Sequence, residues 1–182
     1  MNDKFIPFLI VFFIAIIGFF VVRGFLTPSS STVAADQSVS VEKPNATMTI
    51  NKVMYFPLKD DQGNDVSKLK YEILSAELRK QIIVKGQKAT AVDGRTFLIV
   101  NLKINNEYEK PIQLRTRDYV RLIVNGSKEK LAPEIHNDPV EVQAISTKYT
   151  RLGFPINDKD QNLVLQIGEV GGKKEEIKLN LR

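Results

Sequence analysis

The chain has 182 residues, 43% hydrophobic and 26% charged, with 26 Lys and Arg against 21 Asp and Glu, a single His, and neither Cys nor Trp. This balance excludes a disordered chain, a collagen and a disulfide-stapled miniprotein, and the missing Cys excludes thiol catalysis, thiolate metal sites and a lipidated cysteine anchor. At about 150 residues per domain, the length fits one domain and an additional segment.

The additional segment leads the chain. Phe5 to Val22 is apolar apart from Pro7 and Gly18, and a helix of that length crosses a hydrocarbon core of about 30 Å with every backbone group satisfied internally. The tract extends to Leu26 if Arg23 snorkels to the headgroups, so residues 1–26 are expected to be a signal-anchor transmembrane helix with the lipid bilayer as its partner. The rival is a cleaved signal peptide ending at Val33-Ala34-Ala35, but that site lies well past the apolar tract and the basic leader is thin. Lys4 and Arg23 flank the two ends, so charge alone does not orient the helix. The short tail before Phe5 stays inside more easily than the long body, which places the C-terminal domain outside the cytoplasm at the cell membrane. Residues 27–44 hold Thr27-Pro28-Ser29-Ser30-Ser31-Thr32 and no periodic apolar pattern, the composition of a flexible linker.

From residue 45 to 182 the dominant signal has period two, the mark of half-buried strands. Thr47 to Tyr55 and Tyr71 to Leu78 are weak strands. Glu72 to Gln81 is the best helical candidate, but its apolar stripe fails at Glu77 and Gln81. Phe97 to Ile104 begins apolar on both faces and then places Val100, Leu102 and Ile104 opposite Asn101 and Lys103. Val120, Leu122 and Val124 alternate with Tyr119, Arg121 and Ile123 up to the turn dipeptide Asn125-Gly126. Leu152, Phe154 and Ile156 form the next inward set, and Pro155 among them predicts an edge strand, because proline cannot donate to a ladder. Leu163, Leu165 and Ile167 follow, separated by Gly171-Gly172 from Ile177, Leu179 and Leu181. Many short strands between turns predict an all-β antiparallel sandwich or barrel.

The run Phe97-Leu98-Ile99-Val100-Asn101-Leu102-Lys103-Ile104-Asn105-Asn106, then Lys110-Pro111-Ile112, resembles the central signature of a family of immunoglobulin-like extracytoplasmic domains of unknown function. That family is sometimes labelled after a telomeric repeat-binding factor and occurs in membrane-anchored or secreted prokaryotic proteins. Asp118-Tyr119 before a strand, and Leu152, Phe154 and Ile156, match further family positions, so the resemblance covers about Tyr71 to Leu181. The sequence departs from the family at Ile145-Ser146-Thr147, where a Pro-Gly pair is usual, and at Asn157, where proline is usual. The resemblance implies an immunoglobulin-like sandwich and brings no catalytic residues.

Three local constellations carry candidate chemistry. Arg115, Arg117, Tyr119 and Arg121 share one parity; on a strand they form a basic stripe suited to phosphate or carboxylate, extended by Tyr149 and Arg151 if their strand lies alongside. The bland alternative is a solvated sheet face. Glu134, His136 and Asp138 alternate on an extended segment and so share a side from which they could converge on a divalent ion, although local ligands with a single His make a poor zinc site. Asp60 to Asp65 is oxygen-rich but misses the calcium-loop spacing, and fits a surface turn.

No nucleophile elbow, phosphate loop or nucleic-acid motif is present. Setting aside Lys4, Arg23 and Asp3, the body keeps 24 basic and 20 acidic side chains, a surplus that favours anionic surfaces and is too mild for nucleic acid. The expectation is therefore a membrane-anchored extracytoplasmic binding or accessory module, not an enzyme and without cofactor or structural metal. Its partner is an envelope protein or an anionic surface polymer. The alternatives are a metal-assisted hydrolase around His136 and a structural subunit of an envelope complex.

Overall fold

Eleven strands and one short 3-10 turn form within residues 40–181, the part of the chain that the computed structural model describes. The apolar run Phe5 to Val22 lies outside the described residues, and among the described residues no helix is long and apolar enough to cross a membrane.

Four long strands build the first sheet in the order β1 (Ala46–Lys59), β2 (Asp65–Arg79), β5 (Arg95–Asn106) and β9 (Ser146–Asn157), every neighbour antiparallel. The second sheet has the order β11 (Glu175–Leu179), β10 (Leu163–Ile167) and β7 (Val120–Ile123), again antiparallel. Two small pairs complete the domain, the hairpin β3 (Gln81–Val84) with β4 (Gln87–Thr90) and the pair β6 (Ile112–Leu114) with β8 (Val140–Val142).

The inward sets expected from period two are the core. Leu98, Val100, Leu102 and Ile104 of β5 and Leu152, Phe154 and Ile156 of β9 join Val120 and Leu122 of β7 and Leu163, Leu165 and Ile167 of β10 in one buried cluster. Because that cluster draws on the inner faces of both sheets, the domain is a β-sandwich whose layers are held by apolar burial. β9 is an edge strand of its sheet, as Pro155 predicts.

β1 and β2 are long although their sequences alternate poorly, and two irregularities explain this. Between Ile73 and Ser75 the pairing slips, so the inward parity of β2 changes from Leu69, Tyr71 and Ile73 to Ala76 and Leu78. β1 slips between Thr49 and Lys52, where Asn51 takes a φ of 52°. A bulge re-aims every later side chain and so hides period two from a sequence scan. The helical candidate Glu72 to Gln81 is thus strand over most of its length. The hairpin β3–β4 has no counterpart among the expected elements; its two-residue connection is Lys85-Gly86, both with positive φ, as a turn matched to strand twist requires.

Candidate functional site

The expected basic stripe does not exist as a strand face. Thr116–Tyr119 is a 3-10 turn, and strand geometry begins only at Val120. With about three residues per turn, alternate positions no longer share a side. Tyr119 turns inward, 5.5 Å from the Tyr71 ring and 4.7 Å from that of Phe56. Arg115 and Arg117 are exposed on the turn, whereas Arg121 on β7 donates from Nη1 to Arg117 O at 2.6 Å and Val120 O at 2.8 Å. Tyr149 and Arg151 belong to β9 in the other sheet, so they cannot extend a stripe on β7.

A distant carboxylate bends the chain here. Asp138 accepts from Thr116 N at 2.8 Å, Thr116 Oγ1 at 2.6 Å and Arg117 N at 2.9 Å. Thr116 is fully buried, so these bonds satisfy polar groups that water cannot reach. The same contacts occupy the carboxylate proposed as a metal ligand. Among the described residues no three His, Asp or Glu side chains are grouped closely enough to hold a metal ion.

Glu134, His136 and Asp138 lie on a segment that runs beside β9. Glu134 N and Ile135 N donate to Gly153 O, and Gly153 N donates to Ile135 O at 2.7 Å, which partly closes that sheet edge. A Cβ on Gly153 would stand 2.9 Å from Ile135 Cβ and 3.0 Å from Ile99 Cδ1, so only glycine admits this approach. His136 Nε2 lies 3.2 Å from Arg117 Nη1, and its Nδ1 lies 3.2 Å from the backbone N–H of Asp138 and 3.6 Å from Asp138 Oδ2. Arginine and backbone N–H only donate, while a neutral imidazole accepts at one nitrogen. Only one of the two donor contacts is therefore made at a time. An open groove of about 480 Å³ separates this segment from the hairpin tip at Ile83, Val84 and Lys85.

The acidic loop at Asp60 is a surface turn. Its Oδ1 accepts from the backbone N–H of Gln62 and Asn64 at 2.9 and 2.8 Å. Hydrogen bonds led by that of Asn64 hold the carboxyl below its ordinary pKa. In the loop before β11, desolvation and then the charges of Arg121 and Lys130 lower the pKa of Lys174, whose Nζ donates to Gly168 O at 2.8 Å and also to Glu169 O. Arg121 thus shares its field with Lys174 and Lys130, which the strand-parity argument does not anticipate.

The outer face of the first sheet carries two exposed aromatics that the expected stripe does not include together. Register aligns Tyr55, Lys70, Asn105 and Thr147 in one row across β1, β2, β5 and β9, and Val53, Glu72, Lys103 and Tyr149 in the next. Tyr55 is 60% exposed and Tyr149 is 66% exposed. Tyr149 was visible from sequence through its parity with Arg151, whereas Tyr55 follows the bulge at Asn51 and its face could not be assigned.

No family model and no curated protein matches the chain. Solved structures do resemble it. A conserved hypothetical protein from Bacillus anthracis matches with a TM-score of 0.50 at 17% identity, over 78% of this chain and 100% of that one. An uncharacterized β-sandwich protein from Clostridium difficile 630 matches with a TM-score of 0.47 at 14% identity, over 76% and 100% of the two chains. A functionally unknown protein from Listeria monocytogenes EGD-e matches with a TM-score of 0.47 at 11% identity, over 77% and 87%. The likeness to the Bacillus anthracis protein is one of fold alone and agrees with the sandwich built from this chain's own two sheets.

Proposed function

We propose that the protein is a membrane-anchored extracytoplasmic binding module, an immunoglobulin-like sandwich tethered by residues 27–44 to a signal anchor at Phe5 to Val22. It recognises an envelope protein or an anionic surface polymer through an exposed strand face or loops, and it performs no catalysis. The apolar leading run and the basic surplus of the body support this reading.

The observation that carries it is a contrast within the folded body. Where His meets a carboxylate, the polar groups are spent on holding the chain, since Asp138 accepts three hydrogen bonds that fix the Thr116–Tyr119 turn. The outer face of the first sheet instead offers large side chains to solvent. Buried bonds of the first kind build structure, and exposed aromatics of the second kind build recognition.

The test is a membrane-impermeant crosslinker applied to intact cells that express the full chain with an affinity tag. The account expects crosslinked products with envelope components to form without permeabilisation, and the His136→Ala chain to yield the same products. Products that form only after lysis would overturn the extracytoplasmic module. So would a hydrolytic activity of the full chain that His136→Ala abolishes.

A further inference from the structure

The open half of the first sheet's outer face has a composition that selects a ligand class. Four successive rows, from Pro57–Lys68 to Thr49–Ser75–Asn101–Arg151, contain Lys68, Lys70, Lys103 and Arg151, the last donating to Ile83 O of the hairpin, and the carboxylate of Glu72. At their margins Glu107 accepts from Asn105 at 3.1 Å, and Glu77, paired with Arg79, accepts from Asn101 at 3.1 Å. Glu72 lies 3.5 Å from Lys103 and offsets one of the four cations. Beyond the last of these rows the face is closed, because Ile99 is 2% exposed and Ile135 approaches Gly153. The charged half stays open, with Tyr55 and Tyr149 on the two edge strands.

Spacing and chemistry then narrow the occupant. Three strand intervals separate the tyrosines by about 14 Å across the sheet, and one row offsets them by roughly 7 Å along it. Between them lie polar and cationic groups, chiefly Lys70, Lys103 and Asn105. A bilayer would favour a contiguous apolar patch, which this face lacks. A flat polar strip with an aromatic platform at each end fits instead an extended chain of rings whose apolar faces stack on tyrosine and whose charges meet lysine.

We propose that this half of the sheet binds an extended anionic glycan, with Tyr55 and Tyr149 as stacking platforms and Lys68, Lys70 and Lys103 as the groups that meet its phosphates or carboxylates. The proposal rests on the binding-module reading and names its surface and ligand class. Lys103 exchanges its contact with Glu72 for the ligand's anion, so the partly shielded pair becomes part of the site.

The probes are polygalacturonate, which has rings and charge, dextran, which has rings alone, and polyglutamate, which has charge alone. The full chain in neutral detergent is titrated with each by tyrosine fluorescence, which no Trp obscures. Polygalacturonate is expected to bind at least tenfold tighter than either control. The Tyr55→Ala/Tyr149→Ala pair is expected to lose at least tenfold for polygalacturonate without change toward polyglutamate, while Tyr55→Phe/Tyr149→Phe, read by calorimetry, retains the affinity. Lys68→Glu/Lys70→Glu is expected to weaken both anionic polymers. All these side chains stand on the solvent face, and unchanged thermal unfolding midpoints confirm that the variants fold. Equal binding of polyglutamate and polygalacturonate overturns the proposal, and so does capture by anionic phospholipid vesicles in place of the polymer. Absence of polygalacturonate binding also overturns it while leaving the crosslinking test of the module intact.

Discussion

Asp138 accepts from Thr116 and Arg117, and Asn106 donates from its fully buried amide to Lys110 O and Gln143 O, each at 2.9 Å. Both side chains connect loops far apart in sequence, so neither role is legible from local pattern; only the fold brings donor and acceptor together. Tyr71 has a similar place. Its ring is fully buried, its hydroxyl donates to Thr116 O at 3.3 Å, and burial, then the charges of Asp138 and Tyr119, push its pKa well above 10.0. A phenol kept protonated in the fold while the unfolded chain ionises means that the folded state holds more protons above pH 10. Stability therefore falls as pH rises beyond that value. Urea unfolding of the full chain in detergent at stepped pH is expected to show this decline, and Tyr71→Phe to flatten it while losing about 0.5–1.5 kcal/mol at neutral pH. An unchanged alkaline slope in Tyr71→Phe would contradict this account of the buried phenol.

At the scale of elements, regular alternation was readable and interrupted alternation was not. β5, β9 and β10 keep one parity from end to end, and their inward sets are those expected from sequence. β2 changes parity at its register shift, and the Thr116–Tyr119 turn replaces the strand on which the basic stripe depended. That error has one cause. Period two runs on through Thr116 with nothing local to stop it, because the Asp138 carboxylate that stabilises the turn arrives 22 residues later. Gly153 shows the reverse case, a residue whose meaning lies in its neighbour. On the outer face of β9 it admits Ile135, and Gly153→Ala is expected to cost about 1–3 kcal/mol by overpacking. The urea midpoint of the variant checks this; stability equal to that of the parent chain would mean that the Ile135 segment yields freely.

For the whole molecule, the described residues form a two-layer sandwich whose tyrosine-bearing outer face is open on the first sheet. Sandwich architecture followed from strand count and parity, because burying one face of each ribbon leaves two packed sheets as a stable solution. The surface proposed for a glycan did not follow, because it depends on register across four strands and on a bulge that only the folded chain reveals. The central claim is that the sandwich stands outside the cytoplasm, and the absence of native Cys makes it directly measurable. Val170, 73% exposed, is replaced by Cys in the full chain, and cells with an intact membrane are treated with an impermeant maleimide. The account predicts labelling of Val170→Cys before lysis to the extent reached after it; labelling that appears only once the membrane is opened would contradict it.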